Sequence, residues 1–363
     1  MKVLIITNNL EPTSGWGRSS LGIINELKRQ NIDLCIASEQ SNDKYGTQKI
    51  YPPSSIINLL LNIFIVRKLS KSCNIIHSFD GWPYGVYGYF SALGTKKKLF
   101  TNGVGTYSVA PLYTKVKGFL LKKAYRRAQN IFTISAYVKN RILEHVKLKN
   151  IEIVHMGITL LPRPSIDQIR QFQGQYGVDN HFPILLTVGE IKERKGQLDT
   201  LRAVNLLKQT HPNILYMIVG GDKDLSYINK IRVYAEKNNL DNNYLIISDI
   251  VDDVTLSCCY ESCHIFLLNS NNDENHIEGF GLVILEANQF GKPVIGSRNC
   301  GIEDAINDGV NGYLVEQKNP TDICLKVNKI LSENIISRER VISFYNQFSW
   351  SKTVKKYIEH YDN

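Results

Sequence analysis

The chain reads Glu278-Gly279-Phe280-Gly281-Leu282-Val283-Ile284-Leu285-Glu286-Ala287, followed by Gly291-Lys292-Pro293-Val294-Ile295-Gly296. Two glycines flank an aromatic residue, an apolar run follows, and Gly291 stops it, which predicts a helix. Val294-Ile295 after Pro293 predicts a short buried strand. Loop, helix, turn and strand in that order make the second half of a parallel βαβ unit. A glycine-rich entry leaves main-chain N–H groups open at the helix start and aims the positive end of the dipole at the loop. That suits a phosphate or diphosphate, held by the amides of Phe280, Gly281 and Leu282. Glu278 lies in the loop and Glu286 eight residues on, just over one turn into the helix. Two carboxylates there suit sugar and ribose hydroxyls, which donate hydrogen bonds to them. A glycine-rich turn alone would be read as helix–strand packing; the carboxylate spacing and the trailing Gly-Lys-Pro-Val-Ile favour a binding site.

Outward from this stretch, 363 residues suffice for two domains of ordinary size, and 43% hydrophobic with 21% charged residues is a soluble globular composition. Met1–Ile6 is too short an apolar run for a signal peptide and reads as a first strand, so a cytoplasmic protein is expected. The seven cysteines (35, 73, 258, 259, 263, 300, 324) are odd in number and scattered, which fits a reducing compartment. Cys258, Cys259 and Cys263 neighbour His264, but no C-x-x-C pair is present and the segment reads as buried helix and strand, so no metal is expected. Charge is uneven. Residues 1–165 carry 23 Lys+Arg against 8 Asp+Glu, and residues 166–363 carry 20 against 26. The excess on the first half points to an anionic partner, whether membrane surface, nucleic acid or phosphorylated acceptor. It also places a boundary near Pro162-Arg163-Pro164.

A first strand, Lys2–Asn8, leads into a loop with Gly15 and Gly17 and then a helix. The G-x-G-x-x-G fingerprint is absent, so nicotinamide binding is not expected. Ser54–Leu69 reads as an apolar, amphipathic stretch too short and too interrupted to span a bilayer. His77 ends a strand and reads as structural. The most basic stretch holds Lys115, Lys117, Lys122, Lys123, Arg126 and Arg127 alternating with apolar residues at helical spacing. Together with Lys96-Lys97-Lys98 it reads as a patch facing an anionic membrane, at on the order of 1 kcal/mol per charge. No nucleic-acid motif accompanies it, so nucleic acid is not expected as a partner.

The 278–296 stretch resembles the retaining glycosyltransferases of family 4, which commonly show E-G-F-G-L-x-x-x-E-A-x-x-x-G-x-P-V-I. The resemblance implies a GT-B fold: α/β, two Rossmann-like domains with parallel sheets facing a central cleft, and a C-terminal helix crossing back to the first. The domains expected are residues 1–165 with the helix 345–363, binding acceptor, and residues 182–344, binding the nucleotide sugar. It implies that Glu278 contacts the transferred sugar and Glu286 the ribose, that Gly15 and Gly17 lie near the donor phosphates, and that Ile250 and Val251 meet the base. Gly189 opens the segment that ends in Lys195-Gly196, where Lys195, with Arg194 beside it, neutralises the leaving diphosphate; Lys192 is a weaker candidate. GT-B enzymes supply these cations from side chains, so neither a metal nor another cofactor is expected. Gly105 and Thr106 fall on the acceptor side. Two departures stand out: Val104 occupies the usual histidine position and Glu190 that of an arginine. The implied reaction is retaining hexosyl transfer from a nucleotide-diphosphate sugar to a saccharide or polyprenyl-linked acceptor hydroxyl, as in bacterial surface polysaccharide assembly. The departures keep a binding-only homologue open, and a glycosyltransferase acting on a soluble acceptor is a second alternative.

Overall fold

The structure is a computed structural model that describes residues 1–248, 252–273, 276–333 and 335–362. Main-chain contacts divide it into two compact units. The first holds Met1–Thr159, Glu274–Gly279 and Phe348–Asn363; the second holds Leu160–Asp273 and Phe280–Gln347. Residues 276–279 thus belong with the first unit although the chain around them belongs with the second.

In the first unit the strands are β1 (Lys2–Thr7), β2 (Asp33–Ser38), β3 (Gln48–Lys49), β4 (Ile75–Ser78), β5 (Lys98–Gly103), β6 (Asn130–Thr133) and β7 (Ile151–Ile153). They form one sheet in the order β3-β2-β1-β4-β5-β6-β7, and every pairing is parallel. The helices are α1 (Gly15–Arg29), α2 (Ile56–Ser70), α3 (Val86–Ala92), α4 (Thr106–Val109), α5 (Lys115–Arg127) and α6 (Ala136–Leu143). A strand covered on both faces reads as a continuous apolar run, and Val3-Leu4-Ile5-Ile6 is wholly buried for that reason. His77 sits in this core, ringed by Phe79, Phe100, Phe132, Tyr357 and Tyr361. Its Nε2 meets Asn102 at 2.8 Å and its Nδ1 meets the Tyr361 hydroxyl. Burial lowers its pKa to about 4, so the ring is neutral and structural.

The second unit repeats the plan. Its strands are β8 (Ile184–Val188), β9 (Leu215–Val219), β10 (Tyr244–Ile247), β11 (Ile265–Leu268), β12 (Val294–Ser297) and β13 (Gly312–Val315), in the order β10-β9-β8-β11-β12-β13. Its helices are α7 (Ile166–Tyr176), α8 (Gln197–Leu207), α9 (Leu225–Lys237), α10 (Asp253–Ser262), α11 (Leu282–Gln289), α12 (Pro320–Glu333) and α13 (Arg338–Tyr345). The core joins Leu185, Leu201, Ile218, Ile231, Leu267 and Ile295. The last helix, α14 (Trp350–Asp362), returns to the first unit: it packs on α1, and Val354, Tyr357 and Tyr361 enter that unit's core. Both units are thus α/β, Rossmann-like, with all-parallel sheets whose strand order reverses beside β1 and beside β8.

Among the described residues no helix is long and apolar enough to cross a membrane. The expected amphipathic stretch at 54–69 is helical; Val66 enters the core, but five of its large apolar side chains do not. Ile56, Ile57, Leu60, Leu61 and Phe64 lie exposed while Asn62 is buried. The reason is local: Asn62 closes hydrogen bonds with both main-chain groups of Tyr51 and with the Tyr87 hydroxyl, which ties the polar face inward.

Candidate functional site

In the second unit β8 and β11 are neighbours at the reversal of strand order, so the loops leaving their carboxyl ends share one edge of the sheet. After β8 the chain runs through Gly189 to a 3-10 turn at Glu193–Lys195. The Lys195 side chain folds back over Gly189: a Cβ there would lie 3.7 Å from Lys195 Cε and 4.0 Å from Nζ. The Asn271 main-chain N–H donates to the Arg194 carbonyl at 2.7 Å, which ties this loop to the one after β11. Lys195 and Arg194 therefore stand where the two loops meet. Lys192 is otherwise engaged, in an ion pair with Glu190, and that contact holds the Glu190 carboxyl below its ordinary pKa.

Helix α11 starts at the same edge. Gly281 is its N-cap, in the left-handed region at φ +82°, against Leu268 at the end of β11. The N-cap is a glycine and supplies no side-chain cap, while the Ile284 N–H closes the first turn on the Gly281 carbonyl at 2.9 Å. Glu286 lies one turn in, 8% exposed, and accepts a 2.7 Å hydrogen bond from the Tyr260 hydroxyl. Tyr260 in turn stacks on Phe290, so the carboxylate is held by a packed aromatic pair. Glu286 is more enclosed than a carboxylate at an open mouth, a setting that favours one fixed orientation.

Glu278 belongs to the first unit. Its neighbours are pinned to the loop after β5: the Ile277 N–H donates to Thr106 Oγ1 at 3.1 Å, and a Cβ on Gly279 would fall 2.1 Å from the Val104 carbonyl oxygen. Gly279 is thus required for close approach, whereas Gly281 is required for its turn. Gly105, Thr106 and Glu278 are brought together around Val104. At the end of β1 the Gly17 amide is taken by Ser14 Oγ at 2.9 Å, the N-cap of α1, and Gly15 faces open space. Ile250 and Val251 lie outside the described residues. On α5, Lys115, Lys117, Lys123 and Arg126 are exposed; Lys122 and Arg127 are half-buried, Arg127 donating to the Lys97 carbonyl. Cys258, Cys259 and Cys263 are free and buried, and among the described residues no cluster suited to a metal ion is found.

The first unit also holds a cavity of about 640 Å³ that sequence reasoning missed. It is lined by Asn8, Trp16, Glu39, Trp82, Tyr84, Thr106 and Lys117 among others. Tyr84 donates to Glu39 and accepts from Asn8, which fixes a carboxylate at the cavity wall. Burial raises the Glu39 pKa, with the Tyr84 hydrogen bond opposing it. Lys117 lies 5.6 Å from the Trp82 ring. Behind the wall, Asp80 is wholly enclosed, accepting from Ser108 Oγ and from the Gly81 N–H, and burial pushes its pKa up to about 7. It positions the turn carrying Trp82 and the helix carrying Thr106. The signal available in sequence was the Asp80-Gly81-Trp82-Pro83 turn after a strand; Trp16 and Glu39 carried none, because only the fold brings them there. Aromatic faces beside a carboxylate and amide are suited to a saccharide.

The family described as glycosyl transferases group 1 matches residues 168–360. An uncharacterized glycosyltransferase of Methanocaldococcus jannaschii, MJ1178, is 27% identical over 308 residues, 82% of this chain and 78% of its own. The serotype-specific mannosyltransferase WbdA of Escherichia coli is 24% identical over 65% of this chain and 29% of its own. Among solved structures, Anabaena Alr3699/HepE in complex with UDP and glucose superposes with a TM-score of 0.82 at 16% identity over all of both chains. That likeness carries the GT-B fold, with which the two parallel sheets are consistent. More than half of the sequence falls within the family match, including every unit-two strand described above, so this chain belongs to the glycosyl transferases group 1 family and is a glycosyltransferase.

Proposed function

We propose that the protein is a retaining glycosyltransferase of family 4 that moves a hexose from a nucleotide-diphosphate sugar to a saccharide hydroxyl on a membrane-linked acceptor. The observation that carries this reading is the shared edge of β8 and β11, which brings Lys195, Arg194 and the glycine-opened start of α11 to one place, a setting suited to a diphosphate. In this reading Glu286 binds the ribose and Glu278 the transferred sugar. The bond from the anomeric carbon to the diphosphate oxygen breaks as the acceptor oxygen bonds to the same face of that carbon, and the acceptor proton leaves on the diphosphate. Lys195 and Arg194 stabilise the departing charge in place of a metal. The aromatic cavity of the first unit takes the acceptor saccharide. The exposed cations of α5, with the positive excess of the first half, fit an anionic membrane surface and hence a polyprenyl-linked acceptor made at the cytoplasmic face. Surface polysaccharide assembly is the setting this implies, and the WbdA and HepE relatives support a mannosyl or glucosyl donor as the first to try.

A screen of UDP-, GDP- and ADP-sugars for nucleotide release, with and without vesicles carrying polyprenyl-diphosphate saccharides and without added metal, tests this. Release from one donor, stimulated by the lipid acceptor and insensitive to chelator, is expected. Dependence on an added divalent ion overturns the side-chain assignment. Full release with a soluble saccharide alone favours the soluble-acceptor reading. Val104 and the Glu190–Lys192 pair favour the second reading, a homologue that binds donor without turnover; donor binding with no release under any condition supports it.

A further inference from the structure

Helix α2 presents its greasy side to water. Its inward face carries Asn62, Val66 and Ser70. Its outward face carries Ile56, Ile57, Leu60, Leu61 and Phe64, exposed by 77, 70, 62, 44 and 69%. Those spacings put all five on one stripe over two and a half turns, and exposed Arg67, Lys68 and Lys71 continue it at the C-terminal end. A soluble protein gains nothing from so dense an apolar stripe, and such patches mark docking surfaces. The same layer of helices extends the feature. α2 packs on α3 and α3 on α5, and α5 exposes Val116 and Phe119 by 72 and 61% among its lysines. Residues 44–143 contain 16 Lys+Arg and one acidic residue, Asp80, which is buried.

These observations select the occupant. A second copy of this face would set like charge against like, so the face repels its own kind. An anionic bilayer supplies both the missing negative charge and an apolar interior at the depth an amphipathic helix reaches. We propose that α2 is a membrane-insertion helix: it lies in the headgroup–acyl boundary of an anionic bilayer with Ile57, Leu60 and Phe64 buried among the chains, while Lys115, Lys117 and Lys123 of α5 meet lipid phosphates. This deepens the membrane-linked acceptor reading and rests on it for its purpose, since Pro53, just before α2, and Lys117 both line the cavity. A docked α2 sets that cavity against the surface from which a lipid-linked saccharide projects.

The test is co-sedimentation of the full chain with phosphatidylcholine vesicles and with vesicles containing phosphatidylglycerol, at low and high salt. Wild type is expected to bind the anionic vesicles and to keep part of that binding in high salt, the part due to apolar insertion. Combined Ile57→Ser, Leu60→Ser and Phe64→Ser, all at exposed positions, is expected to lower the partition coefficient roughly a hundredfold. Combined Lys115→Gln and Lys123→Gln is expected to lower only the salt-sensitive part. Calorimetric binding of nucleotide sugar is followed in parallel: it stays unchanged in both variants, and its absence in wild type counts against the proposed function and not against this inference. No wild-type binding to anionic vesicles overturns the proposal, as does unchanged binding by the triple-serine variant. An assembly of copies in light scattering that the same variant dissolves also overturns it.

Discussion

In the second unit the groups suited to a nucleotide diphosphate hang on main-chain geometry: a lysine folded across Gly189, a loop fixed through the Arg194 carbonyl, and a helix opened by a glycine at φ +82°. In the first unit, built on the same doubly wound plan, the cavity is walled by Trp16, Glu39, Trp82 and Tyr84, which come from three separate stretches of chain. Under the proposed function, one fold thus offers a backbone-defined site for a charged group common to all donors and a side-chain-defined site for whatever the acceptor is. Backbone sites tolerate sequence drift, while side-chain sites carry specificity. Glu278 belongs by contact to the first unit and by sequence to the motif of the second, so substitution there tests the division most severely.

The largest effects are expected at the groups assigned to chemistry. Glu278→Gln and Lys195→Ala should each lower kcat by about 10²–10³, the loss typical of removing one preorganised contact to developing charge. Lys195→Ala should also weaken donor binding in calorimetry, whereas Glu278→Gln should leave it within a few-fold. Full turnover in Glu278→Gln would remove the first unit's loop from the reaction and leave only the backbone site.

Next in size is a pair of opposed pH effects inside the first unit. His77 is lowered from 6.5 to about 4 by burial. The unfolded chain therefore takes up its proton first, and stability falls as pH drops from 6.5 towards 4. Asp80 is raised from 3.8 to about 7, so the folded chain holds that proton and stability rises over the same interval. Each effect amounts to about 3 kcal/mol across the window, and the two nearly cancel. Thermal melts of His77→Gln and Asp80→Asn across this range should diverge, the first gaining stability relative to wild type as pH falls and the second losing it. Parallel profiles would show that neither group titrates differently on folding.

The two glycines of the central motif give a smaller contrast. Gly279→Ala forces a methyl to within 2.1 Å of the Val104 carbonyl oxygen and should cost about 1–3 kcal/mol while displacing Glu278. Gly281→Ala strains the left-handed turn and presses on Leu268 Cδ2 at 3.0 Å, and should cost about 1–2 kcal/mol. Activity per folded molecule separates them: a large drop is expected for Gly279→Ala. An equal drop for both would mean the helix start matters as much as the placement of the carboxylate.

What sequence reveals follows the same line. The apolar runs of β1 and β8, the glycine stops and the E-x7-E spacing are local, so both sheets and the α11 motif could be read directly. The roles of Gly279 and Gly281 could not be told apart, because one answers to Val104, 175 positions away in the chain. Trp16 and Glu39 could not be placed beside Trp82 for want of any spacing rule. α2 could be read as an apolar, amphipathic stretch, but only the Asn62 bonds to Tyr51 and Tyr87 reveal which side is inside.

The smallest expected effect lies at Glu190, where the family pattern has arginine. Its pair with Lys192 is open to solvent on both partners, so the pair adds well under 1 kcal/mol to stability. Glu190→Gln should leave the melting temperature almost unmoved. Its consequence is electrostatic. With the carboxylate gone, Lys192 regains an uncompensated charge two residues from Arg194, at the edge where a diphosphate is proposed to sit. Donor affinity should rise by about two- to fivefold, more at low salt than at high, as expected for a charge acting through water. Glu190→Arg should exceed that gain, since it restores the family's cation outright. If neither variant changes affinity, the loop after β8 does not face the donor, and the backbone-defined site shrinks to the start of α11. If both strengthen binding while kcat stays fixed, the missing arginine lowers donor affinity without touching the chemistry, and Val104 is left as the departure that bears on turnover.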